Sequence, residues 1–263
     1  MKRLLLLCVI LALLLSACGQ TSETPTTTAS PELTTLAPTE STTEEQTTEV
    51  PVTAVPGKTQ FTVTKHQLIP PKQSFDAEFE AFYKEFTAAV SKKDMAFIDS
   101  ILDEGIMSSF GGDPTKDFFY EHWETQREHY DRELWDVLEA IIALGGVYDQ
   151  TKKSFTAPYI FTDFKNTDLD AYEYFAIIEK SVSVYENESV NSKVIDALDY
   201  SILEFHHNQE FWEKKAEDFV SVTTLSGSAG FIQRKHLRSP IDYRLCIEQK
   251  DGQWKLLWLI AGD

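Results

Sequence analysis

The chain has 263 residues, 25% of them charged and 12% aromatic, and its 42 acids against 24 Lys and Arg give a net charge of −18. Affinity for nucleic acid rests on cations that neutralise phosphates, so this balance argues against a nucleic-acid binder and against anionic wall polymers as ligands. Three cysteines in so long a chain supply neither a disulfide framework nor a cysteine cluster for zinc.

In chain order, Lys2 and Arg3 precede an uncharged apolar run from Leu4 to Leu15. The run is shorter than the roughly 20 residues of a membrane span and has the layout of a secretory signal. It ends in Leu15-Ser16-Ala17-Cys18, which resembles the lipobox of bacterial lipoproteins. That resemblance implies a signal peptide over residues 1–18, lipidation of Cys18, and a protein held at the extracellular face of the cell membrane. Each acyl CH₂ buried in the bilayer adds about 0.8 kcal/mol, so two or more chains anchor stably. Residues 19–60 are dominated by Thr, Pro, Ser and Glu, with no Lys or Arg before Lys58. Such a segment cannot bury enough apolar surface to offset its ordering entropy, and its acids repel one another. The expectation is a disordered tether, with the composition of an O-glycosylated stalk.

Helices come next. Phe75, Phe79, Phe82, Phe86 and Val90 fall on one helical face, with Ser74 as the predicted N-cap and Asp76 and Glu78 in the first turn. A short helix is predicted from Asp94 to Leu102. In SSFGGDPTKDFFYEHW, residues 108–123, Gly111 and Gly112 allow a reversal, Asp113 reads as an N-cap and Pro114 as the first helical residue. The GxxxxGK[ST] and GxGxxG phosphate loops are absent, and Asp113 stands where an anion would have to sit, so the stretch reads as a structural turn. A further helix is predicted over Arg132 to Leu144, stopped by Gly145-Gly146. His122, Glu128 and His129 lack the HExxH spacing of a metal helix and read as solvated charges.

Strands follow. SFTAPYIFTDF, residues 154–164, is β-branched and aromatic with one break at Pro158. Further strands are read in EYFAIIEKSVSVYE, KVIDALDYSILEF, FVSVTTL and GFIQRKHL, with turns at Glu188-Ser189 and Ser226-Gly227. DYRLCIEQKDGQWKLLWLIAGD is a hairpin turning at Asp251-Gly252. It is expected to pair with the region from Tyr159 to Phe164 and to bury Trp254 or Trp258 against the helices. Cys246, between alternating strand neighbours, reads as a buried structural thiol.

Within the strand region, Val182-Ser183-Val184-Tyr185, Glu188-Ser189-Val190, Ser192-Lys193-Val194-Ile195 and Leu198 are followed by Phe219, Ser221-Val222, Gly227, Gly230-Phe231-Ile232 and Leu237. This succession resembles a bacterial Src-homology-3-like (SH3b) barrel over residues 173–238. Tyr185 stands where that family often has Arg, Phe219 where it often has Trp, and Asp199-Tyr200-Ser201 replaces its glycine turn. The expected fold class is α+β. Residues 61–172 with 239–263 form a helical α+β domain ending in the hairpin, loosely like a cystatin or nuclear-transport-factor cone, and the small SH3-like β-barrel is inserted in it.

The whole resembles SH3b-containing bacterial cell-surface lipoproteins. The implied function is a non-enzymatic binding module for a cell-wall component such as peptidoglycan, or for a protein or peptide partner. Tyr185 and Phe231 are the expected ligand contacts. Aromatic faces attract cations and the acidic surface steers them, which favours neutral or amine-bearing ligands. The competing reading is a cell-wall hydrolase using a carboxylate pair, whose spacing a sequence does not display. No Gly-x-Ser-x-Gly elbow is present. His206-His207 with Glu210, and Asp163, Asp168 and Asp170, read as loop charges without the spacing of an EF-hand. No metal and no cofactor are expected.

Overall fold

The structure, a computed structural model, describes residues 67–205, 211, 213–224 and 226–262. The expected signal, the lipidation site Cys18, the tether and the His206-His207/Glu210 group lie outside the described residues.

Among the described residues five helices and twelve strands follow one another. They are α1 (Ala77–Ser91), α2 (Met95–Ile101), β1 (Leu102–Met107), α3 (Lys116–Tyr130), α4 (Leu134–Leu144), β2 (Val147–Asp149), β3 (Ser154–Ala157), α5 (Tyr159–Phe164), β4 (Tyr174–Ile177), β5 (Val182–Tyr185), β6 (Val194–Leu198), β7 (Ile202–Phe205), β8 (Phe219–Thr224), β9 (Ala229–Gln233), β10 (Leu237–Arg238), β11 (Arg244–Lys250) and β12 (Gln253–Ile260). The architecture is α+β.

The helices sit where their periodicity puts them, but three begin later than expected, α4 at Leu134 in place of Arg132. Asp76, not Ser74, caps α1: its Oδ1 accepts the Phe79 N–H at 2.9 Å. Asp76 also receives the Tyr148 hydroxyl at 2.7 Å and the Lys153 ammonium at 2.6 Å, tertiary partners that fix the start there. The predicted Asp113–Pro114 start is likewise displaced. Thr115 caps α3 by accepting the Phe118 N–H at 3.2 Å, while the Asp113 carbonyl accepts the Thr115 N–H at 2.9 Å. Gly112 earns its place through Phe118, since a Cβ there would lie 2.0 Å from that ring.

The five-stranded sheet has the order β1-β12-β11-β3-β2, with β1 parallel to β12 and the other neighbours antiparallel. The terminal hairpin turns at Asp251 (φ 52°) and Gly252 (φ 76°), the left-handed pair that a tight two-residue turn requires. Its partners differ from expectation. β11 pairs with β3 at residues 154–157, and β12 pairs with β1, a strand the sequence reading did not anticipate. Residues 159–164 are not a strand: after Pro158 they form α5. Proline suits a helix start, and the Tyr159 hydroxyl bonds to the Leu68 carbonyl at 2.7 Å, so tertiary contacts override β-propensity.

Alternation along this sheet sends Phe155, Leu245, Ile247, Trp254, Leu256 and Leu259 into one core with Phe79, Phe86, Phe119, Leu138 and Ile141 from the helices. Trp254 therefore lies under the helices. Trp258, opposite Cys246, is on the other face and meets Phe161 of α5 edge-on at 6.0 Å.

The second sheet has the order β10-β4-β7-β8-β9-β5-β6, antiparallel throughout. The closed barrel expected for residues 173–238 is corrected to an open sheet, because its edges β10 and β6 do not pair with each other. It is nonetheless curled. Ile177 and Phe175 of β4 share a core with Val182 and Val184 of β5, four strands away. The outer face of β4 and β7, through Ala176 and Ile202, packs on Tyr159, Ile160 and Phe164. α5 thus touches both sheets, and contacts group the described residues into one compact unit.

Candidate functional site

Tyr185 and Phe231, far apart in sequence, are direct cross-strand partners on β5 and β9. Val184 and Ile232 beside them point into the core, so period-2 alternation turns Tyr185 and Phe231 outward. Both are half-buried. Phe219 of β8 joins them, its ring edge-on to Tyr185 at 5.7 Å, and half-exposed Val194 is Tyr185's partner on β6. The result is an aromatic ledge of three rings on the outer face of the seven-stranded sheet.

A second surface lies where the chain passes from the seven-stranded to the five-stranded sheet. Asp242 is central. Its Oδ2 is 3.1 Å from Arg238 Nη1, its Oδ1 is 3.5 Å from Arg132 Nη1, and its own chain's Tyr243 N–H donates to Oδ1 at 2.7 Å. Burial alone would raise this carboxyl's pKa. The charges of Arg238 and Arg132, the Tyr243 amide and the charge of Arg234 win, and hold it below the usual range. Arg238 Nη2 also donates to the Tyr243 carbonyl at 2.6 Å. Arg132 lies over the Tyr243 ring at 5.4 Å, and the Tyr243 hydroxyl meets His122 Nε2 at 3.1 Å. Burial pushes His122 towards its neutral form.

Arg234 sits in a 3₁₀ turn (Arg234–His236) between β9 and β10. Its Nε donates to the Phe211 carbonyl at 3.1 Å and its guanidinium covers the Phe211 ring at 4.9 Å. Between these residues and α4 run two adjoining hollows of about 160 and 280 Å³, which share Ala140, Arg238 and Asp242 in their walls.

This arrangement favours binding over acid–base chemistry. A general acid needs a raised pKa, whereas Asp242 is held ionised between guanidiniums. Burial pushes the Cys246 thiol up to about 11, so it is no nucleophile near neutrality. His122 and His129 share one unbroken helix, and among the described residues no group of three or more His, Cys, Asp or Glu could hold a metal ion. Asp170 caps its own loop, accepting the Tyr172 N–H at 2.9 Å.

The structure brings the expected residues Tyr185 and Phe231 together, and the arginines are not anticipated from sequence. A signal was there. Only six of the 24 cations are arginine, and three of those, Arg234, Arg238 and Arg244, fall within eleven residues. Bidentate or stacked contacts prefer arginine to lysine, so such a cluster marks a packed charge site. Comparison of the chain with protein-family models, with curated proteins and with solved structures finds no match.

Proposed function

We propose that this chain is a lipid-anchored extracellular binding module without enzymatic activity. Cys18 holds it at the cell membrane, residues 19–60 act as a tether, and the seven-stranded sheet is an SH3-like fold that contacts a cell-wall component or a protein or peptide partner. The observation that carries this reading is the ledge of Tyr185, Phe219 and Phe231 on the sheet's outer face. Support for the SH3-like fold comes from the consecutive pairing β7-β8-β9, the 3₁₀ turn between β9 and β10, and the single core shared by strands of both halves. β6 and β10 do not pair, so the sheet is curled and open.

Three rings on a chain of net charge −18 suit neutral or amine-bearing ligands. Each aromatic face contributes about 0.5 to 2 kcal/mol towards a cation. The test is co-sedimentation of the protein with purified peptidoglycan, with and without teichoic acid, beside a turbidity assay for lysis. Binding is expected to weaken with salt and to be lost in the Tyr185→Ala/Phe231→Ala double variant. Full retention by the double variant, tighter binding when teichoic acid is present, or lysis would each refute the reading. Cys18→Ser should release the protein from the membrane fraction or leave the precursor uncleaved.

A further inference from the structure

The groove along α4 carries charge that the aromatic ledge does not explain. Three guanidiniums, those of Arg132, Arg234 and Arg238, face one another across a single internal carboxylate, Asp242. Among the described residues Asp242 is the one acid that acts on Arg234, whose other charged neighbours are Arg132 and Arg238. Lys235, also in the wall, is matched by Glu217 at 2.8 Å. Around the larger hollow Arg234 and Arg238 stand against Asp242, a local surplus of one positive charge in a strongly acidic protein.

The donors are not all used. Arg234 bonds through Nε to the Phe211 carbonyl, and Arg132 reaches Asp242 only at 3.5 Å. The Arg238 Nε is buried without a hydrogen-bond partner.

The hollow also has an apolar side. Ala140, Ala143, Leu144, Ile178 and Leu237 oppose the arginines in the larger space of about 280 Å³. The smaller one adds Asp131, Glu133 and Asp136 at its rim, suited to peptide N–H groups.

We propose that this groove binds the free C-terminal carboxylate of a peptide ending in a small apolar residue. A guanidinium fork matches a carboxylate with two parallel hydrogen bonds. The methyl of a terminal alanine fits against the alanines of α4. Asp242 and the acidic rim repel a dianion more than a monoanion, which selects carboxylate over phosphate. The smaller hollow continues along α4 and takes the preceding peptide unit. Tyr185 and Phe231 line neither hollow, so this site stands or falls separately from the ledge.

The test is calorimetric titration of the full chain, in detergent, with N-acetyl-alanyl-alanine, its C-terminal amide, sodium acetate and inorganic phosphate. The free acid is expected to bind, and the amide to bind about tenfold more weakly or worse. Arg234→Gln should weaken the acid by a similar factor. Because Arg234 packs on Phe211 and that variant can misfold, Ala140→Glu is the second arm. Ala140 is an exposed position of α4, where Glu is well tolerated. Ala140→Glu should keep the native circular dichroism and lose about tenfold more acid binding than Ala140→Gln, which fills the same space without the charge. Equal binding of acid and amide, no binding of the acid, phosphate binding tighter than the acid, acetate as tight as the dipeptide, or an unaffected Ala140→Glu would each overturn the proposal.

Discussion

The two sheets bury their apolar faces in different ways. The five-stranded sheet is covered by α1 to α4, and its core is a mesh of aromatic rings in which Phe79 lies 4.8 Å from Trp254 and 4.5 Å from Tyr148. The seven-stranded sheet curls and covers itself, with Phe175, Phe205 and Phe211 meeting at 4.5 to 4.8 Å inside the curl. A sheet backed by helices exposes the helices' outer sides, which here are charged. A self-covered sheet exposes its own outer strand faces, and on β5, β8 and β9 those faces carry rings. The outward rings therefore differ in origin: Tyr185, Phe219 and Phe231 stand on strands of the self-covered sheet, whereas Tyr120 and Tyr130 stand on a helix that covers the other sheet.

The comparison can be broken most forcefully at Trp254. Trp254→Ala should cost about 3 to 5 kcal/mol, because a fully packed ring is lost from the helical core. Trp258→Ala, on the half-buried opposite face, should cost clearly less. Urea denaturation followed by far-UV circular dichroism measures both, and equal losses would show that the helices do not favour one sheet face.

Next is the joint between the regions. Asp242→Asn leaves the partly buried guanidiniums of Arg238 and Arg132 without their carboxylate, a change worth about 3 kcal/mol. The same denaturation experiment decides, and a loss under about 1 kcal/mol would mean the pair behaves as an exposed one. Tyr159→Phe is milder. It removes the hydroxyl that binds the Leu68 carbonyl, and should cost about 1 kcal/mol. A melting temperature unchanged in Tyr159→Phe would sharpen the comparison by making α5 a spacer and not a bond between the sheets.

The smallest effect concerns acid. Lys153 beside Asp76, with the Phe79 N–H and the Tyr148 hydroxyl, holds this carboxyl well below its ordinary value. A depressed carboxyl contributes stability that is complete above its unfolded pKa, near 4, and fades as pH falls through the folded value. Asp76→Asn should therefore lower the melting temperature at pH 7 and lessen its fall below about pH 4. Parallel melting curves of the two proteins across that range would remove Asp76 from the account.

Much of this was legible in sequence because it is local. The apolar stripes of α1 and α4 and the Asp251-Gly252 turn depend on neighbours within a few residues. β1 was not legible: LDEGIM is polar in its middle, and only Leu102 and Met107 register with β12. α5 was misread because Tyr, Ile, Phe and Thr carry strand propensity, and only contacts with Leu68 and both sheets make it helical. Tyr185 and Phe231 were named from the resemblance to an SH3-like barrel, and it is the alternation of β5 and β9 that turns them outward. The arginine groove did not, since Arg132 and Asp242 stand 110 residues apart and no periodicity links them.

The first described residues are tied to the joint and not to the helices. Gln67 bridges to Ser201, the Leu68 N–H bonds to the Tyr200 carbonyl at 2.8 Å, and the Leu68 carbonyl accepts the Tyr159 hydroxyl. Tension drawn along the chain from before Gln67 therefore enters at the seam between the two sheets. These attachments, with the Gln67 amide bonded to the Asp199 carbonyl at 2.9 Å, come before α1 in the chain. Leu68 and Tyr159 belong to the small core between the sheets, so a pull from that side is borne by that core and not by the helical one.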